Sequence, residues 1–419
     1  MTLQRRLVSL AATMCLALGS VSDVVAQGND EYPEWMQEAM ARETRSMGKR
    51  KFKALDGSFE SSLRALKIKT KEDYDWGTYL VLDIGADADA GCYLYSDSLS
   101  ITELLKALAQ STLDETLKAN NATLGTKTIT QLDFDHAEGH PFYIIEHLYT
   151  ADQKDQTIAG QTRAASAYID GFYVGCTHSE LGYTKTFKKM FVSLVENAEV
   201  VTATDNTRLY RELQVLRIDR QPIGYAMTTI ERDAEGDILT ASDVVTIAAV
   251  DADTLATSET YSSEWTHPDG QLINAFETSA ENGNLMMDLT LNLNDDAQWL
   301  VAGEVQQKDF ETVLDPEATL ASTLDALDAI RQLTRDDGLQ TVTLSTWSPD
   351  LDPSTVSEFR IEEVAGVAGT PTAMISIGPL RLRTEFDEDG MATEQKMRLG
   401  GSEIVSERVW FEGKAPELE

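Results

Sequence analysis

The sequence predicts an α+β protein in two parts: an N-terminal antiparallel sheet with flanking helices, then a C-terminal, mainly antiparallel curved sheet (β-clam or half-barrel) with one helix. Three observations predict it. In the first half, strand-like runs are interleaved with helical ones, in the order helix, strands, helix, strands, helix. The second half is almost wholly alternating runs of 6 to 12 residues, as half-buried antiparallel strands are, broken by a single helical interval. Between them lies the polar stretch TATDNT at 202–207. The expected boundaries are a leader at 1–26, a helix and lead-in at 27–47, an α+β domain at 48–200, a linker at 201–208, a β-rich domain at 209–412 and a tail at 413–419.

In EYPEWMQEAMARETRSM, Trp35, Met36, Ala39 and Met40 follow helical spacing, and Pro33 suits a first turn. KFKALDGSFESSLRALKIKT then reads as strands about a turn at Asp56-Gly57, and GTYLVLDIGADADAGCYLYS as two apolar runs around an Ala/Asp turn. SITELLKALAQSTLDETLKANN is a helix. Ser100 and Glu103 make a capping box, and Leu104, Leu105, Leu108 and Thr112 mark its buried face. Strands are expected near 126–134, 141–150 and 163–178, the last folded as a hairpin about Asp170-Gly171. Phe187, Met190, Phe191 and Leu194, spaced by three and four, predict a closing helix. In the second half the helical interval is LDPEATLASTLDALDAIRQLTRDDG, with Leu320, Leu324, Leu327 and Ile330 on one face.

The chain opens with a basic pair, Arg5 and Arg6, an apolar run from Leu7 to about Val21, and Val24 and Ala26 in an A-x-A-like arrangement. This is the layout of a secretory signal peptide. Cleavage is expected after Ala26, with the mature chain in the periplasm or outside the cell. The apolar run is interrupted by Gly19, Ser20, Ser22 and Asp23 and falls short of the ~20 residues that span a bilayer. Met14 before Cys15 also spoils a lipid-attachment site. No further long apolar stretch follows, so no transmembrane segment is expected once the signal is removed. The 35 basic and 70 acidic residues give a formal charge of −35, a field that repels nucleic acid phosphates and anionic lipid head groups. Nucleic acid is thereby excluded as a partner. Cys92 and Cys176 remain beyond the leader, which in an oxidising compartment admits either one disulfide or two buried thiols.

The helix ITELLKALAQS, the strand EGHPFYIIEH, the hairpin AYIDGFYVGCTHSE and the helix FKKMFVSLVEN, in that order, resemble the PsbP/Mog1-like fold across residues 48–200. That resemblance implies a binding or assembly role without catalysis. RIDRQPIGYAMTTIERD and LRTEFDEDGMATEQKMR are similar to strand pairs of periplasmic β-clam proteins, including LolA-like carriers and the sheet domains of some transglutaminase-like proteins, over residues 205–411. The likeness implies a concave apolar face for a lipid, a lipoprotein or a partner segment. A transglutaminase triad is missing, since this half has no cysteine and only His267.

Candidate chemistry concentrates in DFDHAEGHPFYIIEH, at 133–147. His136 and His140 are four apart, the spacing of a metal pair on a helix, but Gly139 and Pro141 argue for a turn. Asp133, Asp135, His136 and His140 are therefore carried as a secondary metal-site candidate, against a solvated hairpin turn. A Cys176–His178 nucleophile is weighed against a disulfide half. Phe276, Met286 and Trp299 are the candidates for an apolar cleft, against ordinary core packing. The basic stretch RETRSMGKRKFKALDG, followed by RALKIKTK, reads as a docking face or as a lysine-protected sheet edge. No G-x-S-x-G, H-E-x-x-H, P-loop or G-x-G-x-x-G motif in a strand-to-helix setting is present. No cofactor is expected. The favoured function is an exported, non-catalytic binding protein of the cell envelope. A metal-assisted or carboxylate-pair hydrolase and an assembly scaffold are the alternatives.

Overall fold

The computed structural model describes residues 33–86, 88–96, 100–154, 156–201, 206–315, 317–335, 341–364, 370–399 and 401–418. The leader lies outside them. Packing divides the chain into two compact units, one running to Ala203 and taking in Ala248–Leu255, the other made of Thr204–Ile247 and Ala256–Glu419. Both are built on antiparallel sheets.

In the N-terminal unit, α1 (Glu34–Met40) buries Met36 and Ala39. β1 (Gly48–Ala54) and β2 (Phe59–Ala65) join β10 (Glu199–Val200) in a three-stranded sheet. The larger sheet contains β3 (Lys67–Tyr74), β4 (Gly77–Gly85), β5 (Ala88–Tyr95), β6 (Thr123–Ala137), β7 (His140–Gln153), β8 (Gln156–Ile169) and β9 (Phe172–His178). Its spatial order is β3-β4-β5-β9-β8-β7-β6. β8 begins at Gln156, well before the expected 163, because the polar QTIAGQT stretch pairs with β7 throughout.

Two helices cover this sheet on opposite faces. α2 (Ile101–Ala119) starts as its sequence predicts, with Ser100 Oγ accepting from the Glu103 amide at 3.0 Å. It carries the chain from β5 to the far edge strand β6, and so packs over β9, β8 and β7. Close approach depends on Gly175, where a Cβ would meet Leu108 Cδ1 at 2.2 Å. On the other face α3 (Thr184–Glu196) buries Phe187, Met190, Phe191 and Leu194 against Leu63, Leu80, Leu82 and Phe142. Glu43 caps it, accepting from the amides of Lys185 (2.9 Å) and Thr186 (2.8 Å). Cys92 and Cys176 are directly opposed on β5 and β9 and joined by a disulfide inside this core.

The C-terminal unit is one curved 14-stranded sheet, not closed into a barrel. β11 (Thr207–Ile218), β12 (Gln221–Arg232), β13 (Ile238–Ala249), β14 (Leu255–Thr266), β15 (Leu272–Glu281), β16 (Asn284–Leu293), β17 (Trp299–Val305) and β18 (Lys308–Val313) form one meander. After α4 (Thr323–Arg335), β19 (Thr341–Trp347), β20 (Val356–Glu363), β21 (Thr372–Ile377), β22 (Leu380–Phe386), β23 (Ala392–Leu399) and β24 (Ser402–Gly413) form a second. The meanders meet where β24 pairs with β11, leaving β18 and β19 as the two edges.

α4 starts later than its hydrophobic pattern, at Thr323, because Ser322 and Asp325 cap each other there: the Asp325 amide donates to Ser322 Oγ (3.1 Å) and the Ser322 amide to Asp325 Oδ2 (2.8 Å). Glu264 of β14 accepts from the Thr323 amide at 2.8 Å. Ala326, Ala329, Ile330 and Leu333 pack on Phe359, Ile361, Ile375 and Phe386, while Leu324 and Leu327 pack on Tyr210, Ile230 and Ile238. The helix thus fills the hollow of the curve. The final residues are not a loose tail: Ala415 is buried, and Arg331 donates to the carbonyls of Ala415 (3.2 Å) and Pro416 (2.6 Å).

Among the described residues no helix is long and apolar enough to cross a membrane.

Candidate binding surface

The histidine-rich stretch forms the β6–β7 hairpin, turning at Glu138 and Gly139, both with positive φ (51° and 77°). Strand alternation separates its reactive side chains. Asp133 and Asp135 oppose Ile144 and Phe142, which face the α3 core, whereas His136 shares the α2 face with Phe134 and Tyr143. Asp133 is occupied by Gln131 Nε2 (2.5 Å) and Lys188 Nζ (3.3 Å), and Asp135 by the His136 amide (2.9 Å). His140 is buried, and the four side chains do not converge. Among the described residues no group of three or more His, Cys, Asp or Glu side chains is placed to hold a metal ion.

Cys176 is bonded to Cys92, so its sulfur is no free thiolate. His178 is buried, and its Nδ1 lies 2.8 Å from the Asp89 carbonyl, an acceptor only, so Nδ1 carries the proton of the neutral ring. Burial pulls His178 down to about 4, and burial with the Lys127 charge does the same to His147. On β1, Lys49 donates to Asn197 (2.7 Å), Arg50 to the Leu66 carbonyl (2.6 Å) and Lys53 to Glu60.

Two buried groups escaped the sequence reading. Arg163 and Glu146, opposed on β8 and β7, form an ion pair at 2.7 Å with 1% and 8% side-chain exposure. Thr130 and Thr184 complete it, donating to Glu146 at 3.0 and 3.1 Å. It ties the sheet to the start of α3 and is closed to solvent.

In the C-terminal unit, Phe276 lies on the opposite face of β15 from the core residue Ala275, next to the exposed Tyr261. Met286 alternates with the buried Met287, and Trp299 packs on the interior cluster of Leu289, Leu291 and Val301. The three do not share a surface. Beneath α4 remains a chamber of about 30 Å³, bounded by Glu212, Gln214, Thr240 and Gln395 on one side and Leu327, Ile330 and Phe386 on the other. That is room for a water or two. An open depression of about 470 Å³ on β20–β22 is lined by Glu358, Arg360, Glu362 and Arg381 and is polar.

One unused surface is aromatic. Among the described residues α2 packs mainly on β9, β8 and β7, which leaves the same sheet face uncovered by the helix over β3, β4 and β5. Tyr93 opposes Gly175, the glycine beneath α2, and so shares that face. Tyr95 opposes Tyr173, which in turn opposes Tyr168. Tyr79 opposes Tyr93 with ring centroids 4.8 Å apart. At the β3–β4 turn, Trp76 stacks on Tyr74 (5.1 Å) and lies 5.2 Å from Tyr95. Tyr74 and Trp76 are 47% and 44% exposed, and the other five rings are half-buried. Burial, with Tyr79 and Glu115 nearby, raises the Tyr93 hydroxyl, and Glu72 accepts a hydrogen bond from Tyr74. The signal was present as Y-x-Y at 93 and 95 and YDW at 74–76, but only the register shows that they meet.

No protein-family model matches the chain, and no curated protein is significantly similar to it. Among solved structures, a β-barrel-like protein of a domain of unknown function, DUF1849, from Brucella abortus is 12% identical, with a TM-score of 0.40 over 49% of this chain and 97% of that one. Cyanobacterial PsbP (CyanoP) from Synechocystis sp. PCC 6803 is also 12% identical, with a TM-score of 0.25 over 44% of this chain and 99% of that one. Both scores lie below the range in which two chains share a fold, so function is read from the residues of this chain.

Proposed function

We propose that this chain is an exported, non-catalytic protein of the cell envelope that binds another envelope molecule reversibly through the open aromatic face of its N-terminal unit. The observation that carries the reading is the row of five rings, Tyr74, Trp76, Tyr79, Tyr93 and Tyr95, on the strands that α2 does not cross. Tyr and Trp combine large apolar area with a polar edge and few rotatable bonds, which is why they dominate protein interfaces. Contiguous exposed patches of this kind mark interaction sites.

Internal carriage of a lipid, as in the β-clam resemblance, has less support. Ligand pockets enclose roughly 300–1,000 Å³, and the chamber under α4 holds about a tenth of the lower bound. Native mass spectrometry of the exported chain, purified without chelator, tests the choice. A bare mass is expected. Excess mass matching a lipid would restore the carrier reading, and a stoichiometric metal lost on substituting His136 and His140 would restore the hydrolase.

A further inference from the structure

We infer that the occupant of the aromatic face is a cationic segment of a partner protein, an extended stretch bearing several Lys or Arg residues; this rests on the binding reading above. The charge around the rings selects it. Between Lys71 and Lys106 the chain contains no Lys or Arg, while Glu72 and Asp75 flank the Tyr74 and Trp76 rings in sequence and Asp73 is held by Lys71. Glu72 is on the ring face itself, opposite Tyr79 and bonded to Tyr74. The Glu115 charge of α2 also acts on the Tyr93 hydroxyl, raising it. The surface is therefore a set of π faces rimmed by carboxylates in a strongly acidic chain.

A ring face attracts Lys and Arg, most strongly at Trp, and neighbouring carboxylates add to that attraction. Shape points the same way. The uncovered rings run from β3 to β5, three adjacent strands or about 10 Å. That is the reach of about three extended residues, more than a single amine would cover. Such a segment would lie across the strands and place its cations over Trp76 and Tyr93.

The test is isothermal titration of the exported chain with four probes: oligo-arginine, oligo-lysine, a neutral proline-rich peptide and a neutral oligosaccharide, at low and high salt. We expect the two cationic peptides to bind, with affinity falling as salt rises. Trp76→Ala should weaken them about fivefold to tenfold, and Asp75→Asn or Glu72→Gln about twofold to fivefold. Trp76 is at an exposed turn and the carboxylate variants are isosteric, so unchanged circular dichroism separates binding from folding. If a neutral probe binds instead, loses affinity in Trp76→Ala and ignores the carboxylate variants, the face is a binding surface but its occupant is not cationic. If no probe distinguishes the parent chain from Trp76→Ala, the binding reading falls with the inference.

Discussion

The two units use a helix and a sheet in different ways. In the C-terminal unit the sheet curves around α4, and side chains from both meanders meet the helix, leaving about 30 Å³ unfilled. In the N-terminal unit α2 follows a crossover from β5 to β6, so it covers only the strands it crosses. Burial by a connecting helix reaches only as far as the connection runs. What lies beyond the crossover must be polar or reserved for another molecule, and here it is five aromatic rings on β3, β4 and β5.

This difference between the units can be measured. The largest effect should come from the filled side. Phe359→Ala empties a fully buried site against α4 and should cost about 3–5 kcal/mol in denaturant unfolding. Arg163→Ala should cost a similar ~3–5 kcal/mol by stranding Glu146, whereas Arg163→Met paired with Glu146→Leu should recover most of it. Acid should act next. His147 and His178 titrate at about 4 in the folded chain against an ordinary 6.5, so their stability is complete above about 6.5 and lost as pH falls towards 4. Each contributes on the order of 3 kcal/mol, because a tenfold change in proton affinity is worth about 1.4 kcal/mol. His178→Asn should flatten the fall in Tm over that window.

Smaller effects come from the caps and the open face. Glu264→Ala leaves the Thr323 amide without its acceptor and should cost about 1–2 kcal/mol. Trp76→Ala should change stability by no more than ~0.5 kcal/mol. If Trp76→Ala instead melts the unit as Phe359→Ala does, the aromatic face is core and the contrast fails.

Local chemistry was legible in the sequence, and register was not. Ser100 with Glu103 located α2, and Asp170-Gly171 located a hairpin whose φ values are 45° and 93°. Both signals are complete within a few residues. The Arg163–Glu146 pair needs the β7–β8 register, and the aromatic face needs β9 to sit beside β5, a neighbour 84 residues away at Cys92 and Cys176. Phe276 shows the same limit. One residue of parity decides which face a strand side chain takes, and alternation in the sequence left that choice open.

The ladder between β11 and β24 has a consequence for how the C-terminal unit is made. β11 is the first strand of the unit to emerge during synthesis or export, and its partner on that side, ending at Gly413, is the last. Both meanders can form from neighbours in sequence, but this seam closes only when the whole unit is present. Until then one flank of β11 is an unpaired edge, the kind that invites mispairing with another chain. Premature termination within β24 should therefore yield aggregation, not a shortened but soluble product.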